Sequence, residues 1–262
     1  MSAGAPYSSK FFDTRAEGAR RSADVVMPLV LSTFAPTSVV DVGCGTGSWL
    51  AAARAWGVSD VLGVDGPYVT DDLLEIPSAA FVAHDLERPL ALDRRFDMAF
   101  SLEVAEHLSP SVASEHVRSL AQLASIVLFS AAIPGQGGNE HRNEQWPAYW
   151  QELFGQEGYV AFDWPRRVIW GDDRVAAWYR QNCVLFTDSV AAVEVEARIA
   201  MPPEDLLALV HPAIFLNATE RAHRALPPPE SVSAAEAARY AVTEAARGST
   251  RRLRTVWRAV RR

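Results

Sequence analysis

The sequence is poor in cysteine, in long apolar runs and in basic residues spread along its length. Only Cys44 and Cys183 occur in 262 residues. Two thiols cannot form a disulfide framework, and both read as small buried groups of a reducing cytosol. No apolar stretch approaches the ~20 residues of a membrane span. The opening MSAGAPYSSKFF lacks the apolar core of a secretion signal, so a cytoplasmic location is expected. Net charge is −7, yet seven arginines and no acid lie between Arg247 and Arg262. The rest of the chain is therefore more acidic than the total suggests. An acidic body offers no basic face to phosphates, and no nucleic-acid partner is expected.

What is present is an ordinary globular mixture, 49% hydrophobic and 22% charged. Its length suits one α/β domain with short extensions, large enough to bury a core without metal or disulfide. Residues 1–35 read as an N-terminal helical segment, with a helix over 13–34 ended by Pro36. Residues 36–190 carry a strand–helix rhythm. Apolar, β-branched runs at 38–42, 61–65, 79–85, 96–103 and 125–134 predict five strands covered on both faces. Helices are expected at 48–57, 109–124 and 147–158. Late strands at 159–164 and 182–188 suggest an antiparallel hairpin at the sheet edge. The whole predicts a doubly wound, Rossmann-like α/β sheet of seven strands, mostly parallel, with helices on both faces. Residues 191–262 read as a C-terminal helical extension, with helices at 233–248 and in the basic tail 249–262.

The strongest local signal is VVDVGCGTGSWL, a buried strand running into Gly43, Cys44, Gly45 and Gly47 and then a helix. Glycines here allow a sharp turn and let a ligand touch the main chain. The G-x-G-x-G spacing is shorter than the G-x-G-x-x-G that seats a pyrophosphate. With Asp41 just before it, it suits a ligand that has no phosphates and carries an ammonium or sulfonium. Asp65 closes the second strand, Asp85 and Leu86 follow the third in HDLERPL, and FDMAFSLEVAEHL follows at 96–108.

These four elements, in order, resemble the class I methyltransferases that use S-adenosylmethionine (SAM). The resemblance covers about residues 20–190. It implies SAM as cofactor, bound by Asp41, Gly43, Cys44, Gly45, Gly47, Asp65, Asp85, Leu86 and Glu103. Asp65 would accept the ribose hydroxyls, and Asp85 would lie at the adenine amine. An NAD-dependent oxidoreductase also ends its second strand in an acid, but the loop spacing and EVAEHL count against it. A non-catalytic SAM-binding subunit is a further alternative, against which the retained polar groups of the acceptor side argue.

Ligands of an open α/β sheet sit beyond the carboxyl ends of the strands, so EVAEH (103–107) and the loop 135–146 should face one cleft. Methyl transfer to a hydroxyl needs an in-line approach and removal of a proton. His141 is the expected base or ligand, with His107 and Glu106 beside it; its alternative is to hydrogen-bond the loop together. The pattern of Glu103, Glu106, His107 and His141 is similar to the metal site of small-RNA 3′-terminal 2′-O-methyltransferases. That likeness implies Mg²⁺ or Mn²⁺ as a second cofactor. In relatives that need no metal, the same glutamates cap a helix and line the cofactor pocket. Asn143, Glu144, Gln145, Trp146 and Tyr149 mix polar groups with aromatic faces, as a sugar or polyol acceptor requires. For Trp150 and Phe154 core packing is the plainer reading. The stretch 138–187 resembles sugar and natural-product O-methyltransferases; N-methylation of a small molecule is the alternative.

His84, His116, His211 and His223 have no useful partner spacing and read as surface or structural residues. In the tail, Leu253, Val256, Trp257 and Val260 form an apolar stripe among arginines. Such a helix can contact an anionic inner membrane face peripherally. Docking onto the acidic body of its own chain or a partner, or disorder, is the favoured reading. The helices after residue 200 could pair between chains in a homo-oligomer.

Overall fold

The computed structural model describes residues 9–225, with side chains from 17 to 222. The predicted helices at 233–248 and 249–262, and His223, lie outside the described side chains. Two compact units divide the chain, Met1–Phe215 and Leu216–Arg262.

The centre of the first unit is a seven-stranded sheet. The strands are β1 (Ser38–Val42), β2 (Asp60–Asp65), β3 (Phe81–Ala83), β4 (Met98–Leu102), β5 (Ile126–Ser130), β6 (Tyr159–Phe162) and β7 (Val184–Asp188). Their spatial order is β3-β2-β1-β4-β5-β7-β6. The first five pair in parallel, and β7 runs antiparallel to both β5 and β6. The expected antiparallel pair is therefore present at the sheet edge, with β7 lying between β5 and β6 and β6 outermost.

Period-two alternation sends side chains to two faces. Val39, Met98, Phe100, Leu102, Leu128 and Leu185 enter one apolar layer. Val40, Ala99, Val127, Phe129, Val184 and Phe186 enter the other. The first layer is covered by α1 (Ser9–Phe34), α2 (Ser48–Ala55), the short α5 (Trp164–Ile169) and α6 (Ala177–Asn182), and α7 (Ser189–Ile199). The second is covered by α3 (Ala113–Leu123) and α4 (Pro147–Gln156).

Helix α1 starts four residues earlier than the pattern predicted. Its buried residues Ala23, Val26, Met27, Val30, Leu31 and Phe34 fall at helical three- and four-residue spacings. Each large apolar side chain so buried contributes about 2 kcal/mol. Ala35, with φ 47°, then turns the chain and donates to the Leu31 carbonyl at 2.8 Å.

The third strand is shorter than the expected 79–85, and its crossovers carry little helix. The β2–β3 crossover holds only single 3₁₀ turns at Asp71–Leu73 and Ser78–Ala80, and residues 84–97 return to β4 without a helix. β3 is three residues long because its side chains are half-buried or exposed at the sheet edge. The aromatic stretch 165–181 forms α5 and α6. Beyond α7, Glu204 N–H donates to the Ala161 carbonyl at 2.9 Å, so the chain covers the open edge of β6. Among the described residues, no helix is long and apolar enough to cross a membrane.

Strand order reverses between β1 and β4. A crevice therefore opens at their carboxyl ends, where Gly43 and Glu103 emerge.

Candidate active site

Gly43 leaves β1 with φ 89°, and a Cβ there would lie 2.3 Å from Cγ2 of Val104. Only glycine fits, so the glycine loop and the segment after β4 touch main chain to side chain. The Gly43 and Cys44 amides donate to the Val64 carbonyl at 2.7 and 3.2 Å, seating the loop over β2. Gly47, φ 85°, opens α2 with no side-chain cap. Its main-chain amides thus stand at a helix start facing the crevice.

Asp65 is buried. One carboxylate oxygen accepts from Gly45 N–H at 2.6 Å; the other accepts from Gly66 N–H at 2.6 Å and from the Tyr68 hydroxyl. Burial pushes its carboxyl up, against the opposing pull of Tyr68 and the two amides. The acid is fixed in place by the loop it would serve. Asp41 is 1% exposed, with one oxygen unpartnered among the described residues; burial, and then the neighbouring Asp65, push it well above the carboxylate range. Cys44 is raised for the same reasons, by burial first, and is no thiolate nucleophile.

Sequence reading missed what holds this loop down. Glu75 accepts from the Thr46 and Ser48 hydroxyls at 2.7 and 2.5 Å and from Arg20 Nε at 2.8 Å. Its own N–H donates to the Thr46 carbonyl at 2.8 Å. Helix α1 is thereby tied to the glycine loop through one carboxylate. No spacing rule links positions 20, 46 and 75, so the sequence carried no signal for it.

At the end of β3, His84 N–H donates to the Asp65 carbonyl at 2.8 Å, placing Asp85 beside the β2 terminus. Asp85 is exposed and pairs with Arg88 at 3.4 Å; Leu86 packs partly against the second layer. Five cofactor candidates, Asp41, Gly43, Gly45, Gly47 and Asp65, thus converge tightly, while Asp85 stands at the rim of the same strand ends.

Glu103 follows β4 with φ 58°, a strained conformation for a residue with a side chain. Asn182 Nδ2 donates to one of its oxygens at 2.9 Å and Gln136 Nε2 to the other at 3.1 Å. Gln181 extends this buried amide network, donating to Gln136 at 2.9 Å. Burial holds the Glu103 carboxyl above its ordinary value, against these donors.

Glu106, His107 and His141 present ligand atoms within 4.8 Å of one another, and the two imidazoles meet edge to face at 4.8 Å. Glu103 is not part of this group, because its oxygens are turned to Asn182 and Gln136. The expected four-ligand set is thus three residues here. Glu106 is 1% exposed. Backbone amides of Glu106 and Ala132 and the Glu103 carboxyl lie near it, but among the described residues neither of its oxygens has a partner in hydrogen-bond geometry. Burial, then Glu103, push it well above the carboxylate range. A buried carboxyl so placed must either keep its proton or face a cation. The donor set fits a divalent ion.

The loop 135–146 is pinned at its far end. Arg142 and Asn143 amides donate to the Glu106 carbonyl at 2.7 and 3.0 Å, and Gln145 N–H to Ala132 at 3.2 Å. Asn143 is buried and accepts from Gln145 Nε2 at 2.9 Å. Glu144 spends its oxygens inside the loop, on Gly135, Gly137 and His141. Trp146 is exposed and Tyr149 half-buried. Trp150 and Phe154 are core residues against Phe129. His116 is buried on Ser101 at 3.0 Å and His211 on the Trp170 carbonyl at 3.1 Å, both structural.

A family model described as "Methyltransferase domain" matches residues 14–156. None of the curated proteins is a significant sequence match. Similar solved structures include an O-methyltransferase family protein from Burkholderia thailandensis, at TM-score 0.50 and 16% identity. The match covers 68% of this chain and 58% of that one, so the chain spans little more than half of that relative. A proposed O-methyltransferase from Nostoc punctiforme aligns at TM-score 0.51 and 12% identity, over 68% of this chain and 59% of that one. The magnesium protoporphyrin IX methyltransferase of Synechocystis, with bound SAM, gives TM-score 0.48 and 18% identity over 72% and 87%. At these identities the likeness is one of fold.

Proposed function

This chain belongs to the methyltransferase domain family, and on that premise we propose that it transfers a methyl group from SAM to a hydroxyl of a sugar or polyol acceptor. The observation that carries the reading is the meeting of two half-sites at one crevice. The glycine loop with Asp41 and Asp65 stands on one side of the β1–β4 switch point, and the Glu106–His107–His141 group on the other.

SAM supplies an electrophilic methyl group on a sulfonium. Asp65, its geometry fixed by Gly45 and Gly66, accepts the ribose hydroxyls. Main chain at Gly43–Gly47 lies against the nucleoside's amino-acid end, and Asp85 and Leu86 flank the base. His141 takes the proton from the acceptor hydroxyl as the new C–O bond forms and the C–S bond breaks, leaving the thioether product. Gln145, Trp146 and Tyr149 offer an amide and ring faces to a polyol.

Replacing His141 with Ala lowers turnover about 10²–10⁴-fold and leaves SAM affinity in place. The assay is methyl incorporation from labelled SAM into a panel of sugars and polyols. Unchanged turnover in the variant contradicts the role.

The unpartnered oxygens of Glu106 favour one second reading, in which Glu106, His107 and His141 hold Mg²⁺ or Mn²⁺ and the ion lowers the hydroxyl pKa. Mn²⁺ then raises the melting temperature of the wild type and not of Glu106→Gln, and a chelator stops turnover. Turnover untouched by the chelator leaves His141 as a free base.

A further inference from the structure

Glu144 is the one acid of loop 135–146 whose carboxylate is fully engaged by its own loop. One oxygen accepts from Gly135 N–H at 2.7 Å; the other accepts from Gly137 N–H at 2.8 Å and faces His141 Nδ1 at 2.8 Å. Gly135 and Gly137 reach this geometry with φ 81° and 72°, and both turn amides point at one anion. The His141 side chain is 8% exposed and that of Glu144 20%. The imidazole also lies flat against bare backbone, since a Cβ on Gly138 would come within 2.1 Å of His141 Nε2. The far end of the loop, residues 142–145, is tied to the Glu106 and Ala132 carbonyls.

We propose that Glu144 is a positioning residue for His141: it holds the ring as the Nδ1–H tautomer and leaves Nε2 as the lone-pair nitrogen toward Glu106 and His107. The physical argument is that a carboxylate can only accept, so the imidazole nitrogen facing it must donate. Two charge-complementary amides keep Glu144 ionised. The tautomer matters because free histidine in water favours Nε2–H, which would present a donor where the proposed chemistry needs an acceptor. Gly138 completes the device by leaving room for the ring. The inference rests on the reading that His141 serves the reaction, whether as base or as ligand.

The test is ¹⁵N NMR of the full chain with labelled histidine, at about pH 9, above the usual histidine range, and with a chelator present. The His141 signal is assigned by its loss in His141→Ala. Wild type is expected to show a pyrrole-like Nδ1 and a pyridine-like Nε2. Glu144→Ala shifts the ring to the Nε2–H form and lowers kcat about 10–100-fold with SAM affinity unchanged, and Glu144→Asp restores part of both. A wild-type ring in the Nε2–H form overturns the inference without any variant having to fold, and so does a Glu144→Ala ring that keeps Nδ1–H. Full turnover in His141→Ala, by contrast, removes the functional reading while the tautomer measurement still decides the pairing.

Discussion

Gly43 and Asp65 show how much of the site one residue can carry. Gly43→Ala would need the φ of a left-handed residue and would drive a methyl into Val104. Left-handed strain of about 1–2 kcal/mol adds to overpacking of about 1–3 kcal/mol. A denaturation midpoint lowered by a few kcal/mol equivalent, with SAM binding lost, is the expected result; a neutral change contradicts the close contact. Asp65→Ala removes the acceptor of Gly45 and Gly66 along with the one proposed for the ribose. Charge-assisted hydrogen bonds are worth about 1.5–3 kcal/mol each, so the SAM dissociation constant should rise at least about 100-fold by calorimetry. An unchanged constant removes Asp65 from the cofactor site. These residues were legible in the sequence because a glycine pattern after a strand and an acid at the next strand's end are adjacent signals. The amides on Glu103 were not. Gln136 and Asn182 lie 33 and 79 residues from position 103, and single polar side chains at such separations carry no period. Glu144 was legible as a polar loop residue, but its direction, inward to His141, depends on the glycine turns that only the fold reveals.

Strands β1, β2, β4 and β5 were readable because burial on both faces leaves continuous apolar runs. β3 and the helix-free crossovers were harder, since a short edge strand and 3₁₀ turns impose little pattern. The contact between β4 and α3 carries a pH signature. Burial lowers the His116 pKa to about 4, while its nitrogen bonds Ser101. The folded state thus resists a proton that the unfolded chain takes near pH 6.5. Stability from this pair is complete above that pH and is lost as pH falls toward 4, to a limit of about 3 kcal/mol. Buried acids raised in the fold, such as Glu106, act in the opposite sense. The difference between wild type and His116→Gln in denaturant titrations at several pH values therefore isolates it. A difference that does not change between pH 7 and about pH 4.5 contradicts the account. At the β6 edge, Arg166 is 1% exposed, with Asp163 on its Nε and Nη2 at 2.6 and 2.8 Å and the Leu207 carbonyl on Nη1 at 3.1 Å. Asp163→Ala strands that charge and should cost about 3–5 kcal/mol, whereas Asp163→Ala with Arg166→Met should recover much of it. Equal stability of the single and double variants would show that the buried charge is not the cause.

Four enclosed acids stand near the ends of β1, β2 and β4, and the catalytic candidates lie on two loops near the β1–β4 switch point. Asp41, Asp65, Glu103 and Glu106 all lie there, enclosed, and the residues that hold them fall between 41 and 182. Removing residues 249–262 should accordingly leave SAM affinity unchanged. The loop spacing, one residue short of the dinucleotide pattern, leads us to expect a ligand without a pyrophosphate there. Calorimetric titration of the full chain with SAM and, in parallel, with NADH and NADPH tests this most directly. One SAM should bind per chain with a dissociation constant at or below the micromolar range and the nicotinamides should give no heat of binding; saturable NADH or NADPH binding with none for SAM would contradict the methyltransferase account at its base.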